Sequence, residues 1–227
     1  MTDAHTLIEE CEILDLLTSL VDKSLVVFDE ASGRYRLLET VRQYSRDRLL
    51  ETQEGALARD RHVSHFLALA DEAEPHLTSF DQKEWAERLE VEHENLGAAL
   101  DWSSELAQDA CLKMCGKLWR FWQLHGHYRE GRRRCEVALS LSGARLRLAD
   151  RAKALRGAGM LAYRLTDYVG ARSLFAESLE IGRELDDKPL IANSLSGVAM
   201  VEREFRKRCN GACTFRGELI NPSRGRG

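Results

Sequence analysis

Only three prolines and a 7% share of aromatic residues punctuate 227 residues, so few points in the chain forbid a helix. No apolar run approaches the ~20 residues that span a bilayer. The opening MTDAHTLIEECE is acidic and lacks the basic-then-apolar order of a secretory signal. A cytoplasmic chain without a membrane segment is expected. Catalytic signatures are missing too: there is no GxSxG, no HExxH and no recognisable carboxylate pair for acid/base work. The nearest approach to a phosphate-binding GxxxxGK[ST] is Gly116-Lys117, which runs into Leu118 and lacks the earlier glycine. No enzyme, no cofactor and no metal is expected from these patterns.

Six cysteines (Cys11, Cys111, Cys115, Cys135, Cys209, Cys213) show no disulfide-framework spacing and read as small buried hydrophobes. Cys209 with Cys213, or His125 with His127, would each make half a zinc site, but neither has a second pair at ligand spacing. His62 and His65 lie three apart with no third ligand evident, and a lone His93 on an apolar face reads as a core residue. Charge is uneven. The net −4 hides seven Arg or Lys against three Glu after residue 200, leaving an acidic body poorly suited to a phosphate backbone.

What is present is mostly helical periodicity. Ile13, Leu16, Leu17, Leu20 and Val21 form an amphipathic stripe. Leu25 to Phe28 and Tyr35 to Leu38 are strand candidates around DEASGR, where Gly33 supplies the positive φ of a hairpin loop. Val41, Tyr44 and Leu49 mark a further helix ending near Glu51. Helix, hairpin, helix is the second half of a winged helix. Its missing first half leads us to expect a piece of a larger protein.

Beyond Leu57 every segment reads helical. Val63, Phe66, Leu67, Ala70, Ala73 and Leu77 line one helix that closes near Pro75. Asp81 and Glu84 suggest a capping box opening one helix through Trp85, Leu89, Leu96 and Leu100. Gly159, Ala171, Phe175 and Ser178 follow tetratricopeptide-like intervals. Tyr168, Ala171 and Phe175 are matched forty residues earlier by Tyr128, Gly131 and Cys135, and Gly197 opens a third unit. The expected fold class is mainly α: a partial winged helix (1–54), a linking helical region (55–110), tetratricopeptide-like repeats (111–205) and an irregular basic tail (206–227). The loss of pattern near residue 201 suggests a shifted reading frame.

Four successive blocks, LVDKSLVV…RYRLLETVRQYSRDRL, RHVSHFLALADEAEPHL, WAERLEVEHENLGAALDW and LWRFWQLHGHYREGRRRCEVAL, resemble bacterial STAND-type regulators over residues 14–200. These are large ATP-dependent signalling proteins related to the streptomycete antibiotic-regulator and maltose-regulator families. The resemblance implies a P-loop ATPase upstream, a winged helix as regulatory joint, a tetratricopeptide sensor and a DNA-binding domain at one terminus. No nucleotide-binding residue of that pattern falls in this chain.

The helix over residues 12–23 would face a duplex with Glu12, Asp15 and Asp22 and one base, Lys23, so direct nucleic-acid binding is not expected. Arg34, Arg36, Arg42, Arg46 and Arg48 read as a solvated face. The richest local cluster is Trp119, Arg120, Phe121, Trp122, Tyr128, Arg129, Arg132, Arg133 and Arg134. Trp119, Trp122, Tyr128, Arg129, Arg132 and Arg133 are the candidate partner-binding residues, for a protein, a peptide or a small-molecule inducer. The competing reading puts both tryptophans between helices and leaves the arginines solvated or paired. The expected role is a non-enzymatic regulatory segment. The alternatives are a free-standing repeat adaptor and a DNA-binding repressor.

Overall fold

The structure, a computed structural model, describes residues 10–30, 33–51, 54–141 and 148–218, with 10, 11, 50, 54, 148 and 208–218 as backbone alone. The chain divides into two compact units at Ala58 and Arg59. It is mainly helical, with one antiparallel hairpin followed by a helical array.

The first unit holds α1 (Glu10–Asp22), β1 (Val26–Asp29), β2 (Arg34–Leu37) and α2 (Glu39–Glu51). The hairpin register runs from Val26 opposite Leu37 to Asp29 opposite Arg34. Gly33 has φ +66°, the left-handed backbone its loop requires. Val26 is buried, whereas Ile13, Leu14, Leu16, Phe28, Tyr35 and Tyr44 all stay exposed. The amphipathic stripe of α1 therefore has little in this unit to cover it.

In the second unit α3 (Glu54–His76, its first turn in the first unit) leads to α4 (Gln82–Val91) and α5 (His93–Leu106). Where the periodicity suggests one helix, the backbone breaks at Glu92, which serves as the last residue's cap on one side and the first residue's on the other. No glycine or proline announces this break. Asp81 makes no side-chain cap on α4. Its carboxylate turns instead to Ser79 and to His76 Nδ1, 2.6 Å away, so the capping box does not form.

The array continues through α6 (Gln108–His125), α7 (Tyr128–Ser140), α8 (Leu148–Arg164), α9 (Tyr168–Glu184) and α10 (Lys188–Glu218). Three short turns join α6 to α7, α8 to α9 and α9 to α10, each with one left-handed residue: Gly126, Thr166 and Asp186. In the last two, an aspartate accepts from the backbone N–H three residues on. Asp167 caps through Gly170 at 2.9 Å and Asp187 through Leu190 at 3.0 Å. α8 packs on α6, α7 and α9, and α9 on α10.

Small residues set these approaches. A Cβ added at Gly159 of α8 would lie 3.0 Å from the Phe175 ring, and one at Gly197 of α10 would lie 2.5 Å from it. The glycines that suggested a repeat are thus the places where helices touch. α10 remains helical to Glu218, so 206–218 is not the irregular chain expected. Past Pro189, which sits in the first turn where it is tolerated, α10 meets no proline before Pro222, and extension costs less than nucleation. Residues 219–227 lie outside the described residues. Among the described residues no helix is long and apolar enough to cross a membrane.

Candidate functional site

α6 supplies one side of a cationic cleft. The cleft, about 350 Å³, is lined by Glu74, Pro75 and Thr78 from the end of α3, by Lys117, Trp119 and Arg120 of α6, and by Arg156 of α8. Helical spacing explains the set: Lys117 and Arg120 are three apart on one face, with Trp119 turned inward beside them. Gly157 lets α8 come close, since a Cβ there would lie 2.6 Å from Trp119 Cβ.

The Trp119 indole is flanked by two guanidinium groups. Arg156 Cζ stands 5.0 Å and Arg120 Cζ 5.3 Å from its ring centroid, both within cation–π range. Arg120 Nε also donates to the Leu77 carbonyl at 3.1 Å. Arg156 has no carboxylate at ion-pair distance among the described residues. Burial, followed by repulsion from Arg120, lowers its pKa against a weaker pull from Glu74. Glu74 is already engaged: Lys117 Nζ is 2.7 Å from one oxygen and Lys153 Nζ 3.6 Å from the other. Lys117 also meets Asp71 at 2.8 Å. Burial opposes the charge of Lys117, but its two carboxylates outweigh burial and raise its pKa.

Cations therefore outnumber carboxylates at the cleft. Two guanidinium groups flanking one aromatic face suit a ligand that carries negative charge on a planar or apolar frame.

The residues singled out in the sequence do not form one surface. Trp119 lines the cleft and is 5% exposed. Trp122 is buried in the main core, where Gly131 of α7 admits it, so no partner reaches it. Tyr128 is half-buried against the same core. Arg132 pairs with Glu136 and Asp167, both at 2.7 Å. Arg134, 11% exposed at its side chain, joins Glu130 at 2.8 Å to Asp101 at 2.9 Å. Arg129 and Arg133 are exposed, away from the cleft lining. Packing and pairing, the competing reading of this cluster, describes most of it.

Arg156, Thr78 and Glu74 were not singled out in the sequence. The signal for Arg156 was faint: one of three basic residues, with Arg151 and Lys153, in a stretch of helix otherwise built of Ala152, Ala154, Leu155, Gly157 and Ala158.

The three described thiols behave as expected. Cys111, Cys115 and Cys135 are buried and free. Hydrogen bonding to Cys115 and burial push Cys111 far above the usual thiol range. Cys115 is raised as well, because its bond to Cys135 and its burial overcome the opposing bond from Cys111. The side chains of Cys11, Cys209 and Cys213 lie outside the description.

Comparison with known proteins bears on this arrangement. Over 194 residues the chain is 35% identical to proteins named "Putative HTH-type transcriptional regulator" from Mycobacterium bovis and from two strains of Mycobacterium tuberculosis. The match takes in 81% of this chain and 22% of each relative, so the chain spans about a fifth of their length. No protein-family profile matches it, and no solved structure does. The similarity supports a part in transcriptional regulation.

Proposed function

We propose that this chain is a non-enzymatic regulatory segment of an ATP-dependent transcriptional regulator, working in the cytoplasm. Its helical array receives an effector, and its helix–hairpin–helix unit, read as the distal half of a winged helix, couples to a nucleotide-binding domain. The observation that carries this reading is the similarity over 194 residues to proteins named transcriptional regulators. The exposed Ile13, Leu14, Leu16, Phe28 and Tyr35 support the coupling role, because an apolar patch on so small a unit fits an interface better than water.

The cleft beside Trp119 is the place we assign to the effector, and its charge specifies an anion. The test is thermal melting of the full chain at low ionic strength with inorganic phosphate and citrate as probes, beside neutral glycerol. A rise in Tm with either anion, lost in Arg156→Met, is expected. An unchanged Tm with both anions, or an equal rise in the variant, would overturn the effector assignment. The coupling role has its own test in the gene. An in-frame upstream sequence with a GxxxxGK[ST] loop is expected, and an upstream domain without one would remove it.

The HTH-type name of the relatives belongs to the whole proteins. We place any DNA contact outside residues 10–51, because α1 presents Glu12, Asp15 and Asp22 outward.

A further inference from the structure

On the side of α6 away from its start, the α4–α5 break and the α6–α7 turn bring three imidazoles and two carboxylates together. Glu90 closes α4 and His93 opens α5. His125 ends α6, Gly126 turns at φ +80°, and His127 occupies the position before α7. His127 Nε2 lies 2.9 Å from Glu90 Oε2, and His125 Nδ1 lies 3.6 Å from the same oxygen. The His93 ring stacks on His127 with centroids 4.3 Å apart. One donor atom each from Glu90, His93 and His127 falls within 4.8 Å of the others.

We propose that Glu90, His93 and His127 bind a divalent transition-metal ion, zinc foremost, with His125 beside them as a further imidazole donor. Two imidazoles and one carboxylate form a donor set that zinc takes with a water or another ligand in fourth place. Neutral imidazole selects zinc, copper or nickel over magnesium or calcium, which prefer oxygen alone.

Two observations beyond the clustering favour this. First, His93 Nε2 is sealed from solvent and makes no aligned hydrogen bond. Glu130 Oε2 stands 3.0 Å from it, at ion-pair distance, while the other oxygen of that carboxylate meets Arg134, so Glu130 is a second carboxylate at the site. Second, the turn at His127 departs from its siblings. Where Asp167 and Asp187 cap the next helix, His127 makes no side-chain cap and directs its ring to Glu90. An imidazole has displaced a capping side chain at this turn.

Donors around one zinc stand about 3.3 Å apart, as bond lengths near 2.1 Å in a tetrahedron require. His127 Nε2 lies 3.2 Å from Glu90 Oε1, close to that spacing. Imidazole lone pairs lie in the ring plane, so the His93 ring must rotate out of its stack for both rings to converge on one ion. The inference stands apart from the anion cleft; either can fail without the other.

The test titrates zinc(II) chloride into the chelator-stripped 227-residue chain by calorimetry, with cobalt(II) absorption as the geometric readout. His127→Asn removes the imidazole and restores a capping side chain to the turn, so it is expected to fold. Cys209→Ser/Cys213→Ser removes the other half-site legible in the sequence. One zinc per chain is expected, with affinity reduced at least about tenfold in His127→Asn and within about twofold of the parent in the double serine variant. Tetrahedral cobalt bands are expected in the parent and absent in His127→Asn. Absence of stoichiometric zinc binding, undiminished affinity in His127→Asn, or binding lost with the two cysteines would each overturn the proposal.

Discussion

A methyl group at Gly131 would lie 2.6 Å from Trp122 Cδ2, closer than any tolerated carbon–carbon contact. The α6–α7 hairpin is therefore drawn together by the absence of one side chain opposite the presence of the largest one. Gly131→Ala gains helix propensity, about 1 kcal/mol, but forces the indole against buried neighbours, which typically costs about 1–3 kcal/mol. Net destabilisation is expected. A urea midpoint that rises in Gly131→Ala would show that the helices have room to part.

Asp167 yields a pH prediction. Its pKa is lowered first by the Gly170 N–H and then by Arg132, while burial opposes weakly. A depressed carboxylate stabilises the fold above its unfolded value, ~3.9, and that contribution disappears as pH falls through the folded value. Asp167→Asn keeps a capping oxygen but forfeits the charge. The variant should melt below the parent at pH 7 and match it near pH 2. A gap that stays constant across this range would contradict the electrostatic origin.

The sequence showed much of this architecture and little of its chemistry. Helix positions, the hairpin and the glycine contacts follow from local periodicity and from residue size. Gly33 marks a left-handed backbone, and Gly159 and Gly197 mark close approaches to the Phe175 ring. The break at Glu92 was hidden because nothing in Val91-Glu92-His93 is a poor helix former. Arg156 and His93 were hidden for another reason: their partners lie on other helices, beyond the reach of any periodic pattern. The dense Trp119–Arg134 cluster misled in the opposite direction, since neighbours in sequence on a helix point different ways. Trp122 went to the core, Arg132 and Arg134 to ion pairs, and only Trp119 and Arg120 to a cleft.

Thiol chemistry provides a third prediction. Cys111, Cys115 and Cys135 are buried with Cys111 and Cys115 held as thiols, and the thiolate is the reactive form. Iodoacetamide at pH 8 should leave peptides containing these three unlabelled in the native chain and label them fully in urea. Native-state labelling of any one within minutes would place it at the surface.

Arg156 presents an unusual stability expectation. Its charge is disfavoured by burial and by Arg120, whereas its stacking on Trp119 is worth about 0.5–2 kcal/mol. These oppose one another, and methionine retains the packing of the stem. Arg156→Met should sit within about 1 kcal/mol of the parent without anions, and the parent should gain more from added phosphate. A loss of several kcal/mol would mean that the guanidinium has a structural partner.

Duplex binding offers a fifth check. With Glu12, Asp15 and Asp22 exposed on α1, random-sequence DNA should not be retarded by the chain at 50 mM salt. Retardation that weakens steeply with salt would return the first unit to the ranks of DNA readers.

The Phe175 ring, closed in by Gly159 on one side and Gly197 on the other, ties three positions into one heritable unit. Alanine at 197 would overlap the ring and alanine at 159 would press on it, and a smaller residue at 175 opens a void that larger side chains at 159 or 197 would fill. Change at one of these positions alters the space at the others. Departures at 175 should therefore travel with departures at its two glycines, an imprint readable in sequence collections.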